Sequence, residues 1–126
     1  MKSLTLRAFA LDIPFTETFR HAAAERTCTQ SVWVEVDDGA GHRGYGEACP
    51  REYVTGESQS SALATIEAGA PVWCANIHDL AALRAWAHEQ RASIDLNPAA
   101  WCAVELALLD LFARRELRRL VRADAA

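Results

Sequence analysis

From Leu4 to Ala10 the apolar side chains fall on alternate positions. Leu4, Leu6, Ala8 and Ala10 share one face, and Thr5, Arg7 and Phe9 the other, which is the two-residue period of a strand. This first strand spans 2–12. The alternation returns at 27–37, where Val32, Val34 and Val36 oppose Trp33, Glu35 and Asp37. Asp37-Asp38-Gly39-Ala40-Gly41 then supplies residues that tolerate left-handed backbone in a hairpin turn, and 42–48 is the returning strand. From Ser58 the period lengthens to that of a helix. Three helices are expected: 58–70, stopped by Gly69 and Pro71; 79–92, capped by Asp79; and 98–116, with Asn97 as cap and Pro98 in its first position. Strands first and helices afterwards predict an α+β domain, a three-stranded antiparallel meander followed by three helices packed on it.

Two stretches break the pattern. Ile13 to Arg26 contains Pro14, and Cys49 to Glu57 holds Pro50 and Gly56. Both read as irregular connections longer than the usual ~4 to 6 residues, a length that marks binding loops. The third helix is unusual in the opposite sense. Between Pro98 and Ala113 only Glu105 and Asp110 are polar, so it is expected to be buried nearly all round. A sheet covers one side only. An apolar strip including Leu106 and Leu109 should therefore await another domain, another chain or a second copy, and self-association is expected.

The charge balance, 17 acidic against 13 basic side chains, gives no basic surface for nucleic acid or an anionic membrane. The basic cluster Arg114–Arg122 sits where the helix dipole favours cations. No run approaches the ~18 to 20 apolar residues of a membrane span. Cys28, Cys49, Cys74 and Cys102 form no C-x-x-C pair and no signal peptide precedes them, so a cytoplasmic location is expected. With four histidines as well, no ligand spacing for a metal emerges. Glu47, Glu105 and Asp110 read as structural carboxylates, since no base or nucleophile accompanies them. Gly44-x-Gly46 is not followed by a helix and makes no dinucleotide fingerprint; Tyr45 and the preceding turn account for it.

Three motifs in order carry a family resemblance: Gly44-Tyr45-Gly46-Glu47-Ala48, then Thr55-Gly56-Glu57-Ser58, then Ala103-Val104-Glu105-x-Ala107-Leu108-x-Asp110-Leu111. From about residue 3 to about 115 the chain resembles the N-terminal capping domain of the enolase superfamily, in the mandelate racemase, muconate-lactonizing and dipeptide-epimerase branch. The resemblance implies a cap on a modified TIM barrel, with two loops that close over the active site and select substrate. Those loops fall on the two irregular stretches. Phe15, Phe19, Arg20 and His21 in the first, and Arg51, Tyr53, Val54 and Thr55 in the second, are the implied specificity residues.

The family's chemistry is removal of a proton alpha to a carboxylate, with Mg2+ stabilising the enediolate. Its catalytic and metal-binding residues lie on the barrel. Lys2 is the chain's only lysine, so the branch's Lys-x-Lys motif has no counterpart, and a barrel needs about 250 residues. No catalytic residue, metal ligand or cofactor is therefore assigned within the chain, and the small-molecule carboxylate substrate belongs to a complete enzyme. The expected organisation is a capping domain over 1–116 and an arginine-rich tail over 117–126, where the family usually has a glycine and a proline. Three readings follow: a capping domain inactive alone, half of a split enzyme completed by a separate barrel chain, or a free-standing binding module.

Overall fold

The computed structural model describes residues 3–21 and 24–125, the side chains of Phe19, His21, Ala24 and Glu25 excepted. Its three alternating segments are strands β1 (Thr5–Leu11), β4 (Ser31–Asp37) and β5 (Arg43–Ala48), joined antiparallel in the order β1-β4-β5. The register sets Ala8 opposite Val34 and Val34 opposite Gly46. Val32, Val34 and Val36 are fully buried, each stabilising the core by about 1.5–3 kcal/mol relative to exposure. Trp33 and Tyr45 stack on the opposite face with ring centroids 5.6 Å apart.

The stretch read as irregular from 13 to 26 is a second antiparallel pair, β2 (Pro14–His21) with β3 (Ala24–Cys28), its register shifting between Pro14 and Phe19. Residues 14–18 and 20 are all exposed. With none of its described side chains fully buried, the hairpin shows no hydrophobic alternation against a core and is held by strand pairing instead. Residues 27 and 28 belong to β3, so the expected second strand is shorter, starting at Ser31.

Five helices follow: α1 (Glu52–Thr55), α2 (Gln59–Asn76), α3 (Leu80–Glu89), α4 (Arg91–Leu96) and α5 (Pro98–Ala125). Ser58 begins α2 with a reciprocal cap: its hydroxyl accepts from the Ser61 amide at 3.1 Å, and its own amide donates to Ser61 Oγ at 2.9 Å. Asp79 caps α3 by accepting from the Ala82 amide at 2.8 Å. The expected stop at Gly69 and Pro71 does not occur. The Trp73 ring lies directly over Gly69, in space a Cβ would need. Trp73 also meets Trp101 edge-on, centroids 5.7 Å apart, and this packing beyond Pro71 offsets the roughly 3 kcal/mol of an interior proline.

Helix α5 covers the sheet. Ala103, Val104, Ala107, Leu108 and Leu111 are buried against it. A Cβ on Gly44 would collide with the Ala107 carbonyl and the Leu111 amide, and one on Gly46 with the Ala103 carbonyl and the Ala107 amide. The two glycines thus exist to let a helix backbone lie on the β5 backbone, which replaces the explanation from Tyr45 and the turn. Burial all round is also corrected: Cys102, Leu106, Leu109 and Ala113 are exposed, and this is the strip expected from the sequence. The helix runs to Ala125 rather than ending at 116. Nothing between Arg114 and Arg122 breaks it, and Asp110–Arg114 and Glu116–Arg119 pairs brace its surface.

Candidate functional site

The two segments implied to be selective are the β2–β3 hairpin and the connection Cys49–Glu57. Phe15 and Arg20 are exposed on β2. The side chains of Phe19 and His21 lie outside the described residues. In the second segment Arg51, Tyr53, Val54 and Thr55 are exposed on and beside α1. That single turn ends because Gly56, at φ 78°, returns its amide to the Glu52 carbonyl at 3.0 Å, a left-handed cap that favours glycine.

Arg26 and Cys49, neither singled out in the sequence, join the two segments. The Arg26 guanidinium donates to Cys49 Sγ at 3.4 Å and also interacts with the Tyr53 side chain. Burial pushes the Cys49 thiol up, but Arg26, the Gln30 amide and Arg51 together outweigh it and hold the thiol below its ordinary range. The Cys49 contact, then Tyr53, keep the Arg26 guanidinium firmly charged. Tyr53 is thereby tied to the hairpin through Arg26. The one signal in the sequence was the arginine that ends the first irregular stretch, which does not specify a partner.

Glu57 anchors the second segment from below. It is buried, and its two carboxylate oxygens accept the Ala99 and Ala100 amides at 2.8 and 2.9 Å. These are unpaired donors of the first turn of α5. Glu57 thus performs the side-chain capping expected of Asn97, and the Thr-Gly-Glu-Ser motif acquires a physical reason: a turn that aims a carboxylate at a helix N-terminus. Asp110 has a comparable duty. Its carboxylate accepts the Tyr45 amide at 2.9 Å, on the edge of β5 that no strand covers, and Arg114 Nε at 3.0 Å. Glu47 is exposed, and Glu105 half-buried, with no hydrogen bond or ion pair among the described residues.

Asp38 organises the turn at the far end of the sheet. It accepts the Ala40 and His42 amides at 2.8 and 3.1 Å and pairs with His42 Nδ1 at 2.7 Å. Burial opposes its charge, but these donors outweigh burial and hold the carboxyl below its usual range. Among the described residues no group of three His, Cys, Asp or Glu stands close enough to hold a metal ion. Asp38, Glu57 and Asp110 are already committed to backbone amides, so they do not fit a Mg2+ site. No described helix is long and apolar enough to cross a membrane.

A meander roofed by one long helix, with a separate hairpin and a one-turn helix tied together by an arginine, defines an α+β capping domain. No family model matches the sequence. Over 117 residues the chain is 34% identical to the aromatic dipeptide epimerase of Herpetosiphon aurantiacus, a match that takes in 86% of this chain and 30% of that protein. A mandelate racemase/muconate lactonizing protein structure from the same species superposes with a TM-score of 0.77 at 30% identity, covering 91% of this chain and 32% of that one. The dipeptide epimerase of Enterococcus faecalis, complexed with Mg and L-Leu-L-Tyr, gives 0.70 at 28% identity over 91% of this chain and 31% of its own. The chain belongs to the enolase superfamily, in the branch of mandelate racemase, muconate-lactonizing enzymes and dipeptide epimerases, and corresponds to its N-terminal capping domain. It spans about a third of the length of these relatives.

Proposed function

We propose that this chain is the substrate-selecting cap of a Mg2+-dependent epimerase or racemase acting on a small carboxylate of the dipeptide class. The observation that carries the reading is the joining of the two exposed segments through Arg26. A cap must hold its hairpin and its one-turn helix in a fixed relation to shape one end of a substrate and exclude water. Phe15 and Tyr53 offer aromatic surface there, and Arg20 and Arg51 offer positive charge for a peptide carboxylate, with Val54 and Thr55 completing the rim. Proton abstraction and Mg2+ binding belong to a barrel, in the same polypeptide or in a separate one. The four free thiols suit a reducing cytoplasm.

The test is a chimera in which this chain replaces the cap of the Herpetosiphon aurantiacus epimerase. Alpha-proton exchange of dipeptides in deuterated water is followed by NMR with Mg2+ present. The chain alone should give no exchange and the chimera should give exchange. Changing Phe15 or Tyr53 to Ala should shift relative kcat/KM among dipeptides at least fivefold. A folded chimera whose dipeptide ranking ignores both substitutions overturns the assignment. Co-purification of a barrel chain from the source cell would establish the split arrangement.

A further inference from the structure

Trp101, Val104, Leu108 and Leu111 follow one another at steps of three and four along the buried line of α5, the spacing of a core-facing stripe. Continued in the same steps, that line meets Arg115, Arg118 and Arg122. The chain thus places guanidinium groups on the side of the helix that carries the core, where α5 runs on beyond Phe112, its last buried residue. Only Arg122 lies in the last turn. The helix dipole acts within that turn, so it leaves Arg115 and Arg118 unexplained.

These arginines face a cleft of about 860 Å3, which has α5 on one side and His42 with residues 79–81 on the other. Phe112 and Leu80 give it apolar lining. The arginines of the cleft are not equivalent. Arg115 is half-buried, donates to the His78 carbonyl at 3.2 Å and lies over the Phe112 ring, 5.2 Å from its centroid. Arg119 is engaged by Glu116 at 2.6 Å. Arg118 and Arg122 form no hydrogen bond or ion pair among the described residues. Arg118 lies beside Gly41, its guanidinium 3.5 Å from where a Cβ would stand. The other acids nearby are committed: Asp79 accepts the Ala82 amide at 2.8 Å, and Asp38 pairs with His42 at 2.7 Å.

We propose that this cleft binds a small phosphate monoester with an apolar body, its phosphate held by Arg118 and Arg122 and its body against Leu80 and Phe112. Such a phosphate carries a charge of about −1.5 to −2 at neutral pH, which matches the two unpaired guanidinium groups. Their forked donors suit its oxygens. Positions four apart on a helix stand about 5–6 Å from each other, close enough for both arginines to reach one phosphate. The volume falls within the range of about 300–1,000 Å3 of small-molecule sites. A net charge of −4 on the whole chain disfavours an extended polyanion such as a nucleic acid. The cleft lies beside the β4–β5 turn, at the end of β5 opposite Cys49–Glu57, so this inference goes beyond the capping reading and requires none of it.

The probe is phenyl phosphate, titrated into the 126-residue chain at pH 7 and followed by nitrogen-15 NMR, in about 50 mM salt to limit screening. The amides of Gly41, Leu80 and Arg118 should shift together and saturate, with a Kd on the order of 0.1–1 mM. Inorganic phosphate, which lacks the ring, and benzoate, which has the ring and a single charge, should each bind about fivefold more weakly. Arg118→Gln and Arg122→Gln, both on exposed side chains, should each weaken phenyl phosphate several-fold with an unchanged circular dichroism spectrum. Arg91→Gln, on α4, should leave the affinity as it is. Leu80→Ser should bring phenyl phosphate down to the level of inorganic phosphate. The proposal is overturned if no saturable shift develops by about 10 mM phenyl phosphate, or if neither arginine substitution changes the affinity. Equal affinity for phenyl phosphate and inorganic phosphate overturns it too, since the cleft then holds an adventitious ion only.

Discussion

Replacing Glu57 by Ala tests whether a loop carboxylate, rather than the helix's own residues, starts α5. The native carboxylate accepts two amides, at 2.8 and 2.9 Å, from a buried position. Hydrogen bonds to a charged group contribute about 1.5–3 kcal/mol each, and an ordinary cap about 1 kcal/mol. Ala100 is fully buried, so its amide is left without water or acceptor, at a cost of about 1–3 kcal/mol. Since some of these terms describe the same bonds, a net loss of about 3 kcal/mol is expected for Glu57→Ala. Glu57→Gln, which keeps one good acceptor and no charge, should lose about 1–2 kcal/mol. Against the roughly 5–15 kcal/mol of a typical domain, either is readily measured by urea unfolding monitored at the tryptophans. Amide exchange at 52–56 should quicken in step, because the one-turn helix loses its anchor. A loss below about 0.5 kcal/mol for the Ala variant, within the ordinary scatter of surface substitutions, would mean that the Asn97 side chain can take over the cap. The anchoring argument would then be wrong.

Gly46→Ala should destabilise the domain by about 3 kcal/mol or prevent folding, because its Cβ meets the Ala103 carbonyl rather than a movable side chain; thermal unfolding checks this, and a melting temperature within a degree or two of the parent refutes it. Asp38 has a lowered folded pKa, so the stability it contributes is present above the ordinary carboxylate range and is lost as pH falls through the folded value. Asp38→Asn should therefore lower stability at pH 7 and flatten its decline toward pH 3, read from urea midpoints across about pH 3–7. Arg26→Met should leave the meander's exchange protection unchanged while raising exchange at 52–55 several-fold, and equal protection in both proteins would show that the two segments are not coupled through that guanidinium.

The meander was legible because Val32, Val34 and Val36 alternate against a buried face, and because the Asp-Gly turn after them needs left-handed backbone. Both are local rules. The caps at Ser58 and Asp79 were readable for the same reason, since a cap and its amides lie within three residues. The β2–β3 hairpin escaped because none of its described side chains is fully buried, so the pairing that holds it leaves no periodic mark. Gly69 and Pro71 read as a stop because propensity is local, whereas the packing of Trp73 on Trp101 that carries α2 past them is not. Of the implied specificity residues, the sequence motif supplied the segments, but the Arg26 clasp between Cys49 and Tyr53 spans more than twenty positions and exists only in the folded chain. The same holds for Glu57, 42 and 43 residues before the two amides it caps, and for Gly44 and Gly46, whose purpose is visible only with α5 in place. Apolar period and turn chemistry are properties of neighbours along the chain, and these determined the elements and their order. Contacts between distant positions depend on how those elements pack, and these decided where the two capping segments are held and which face of α5 is left bare.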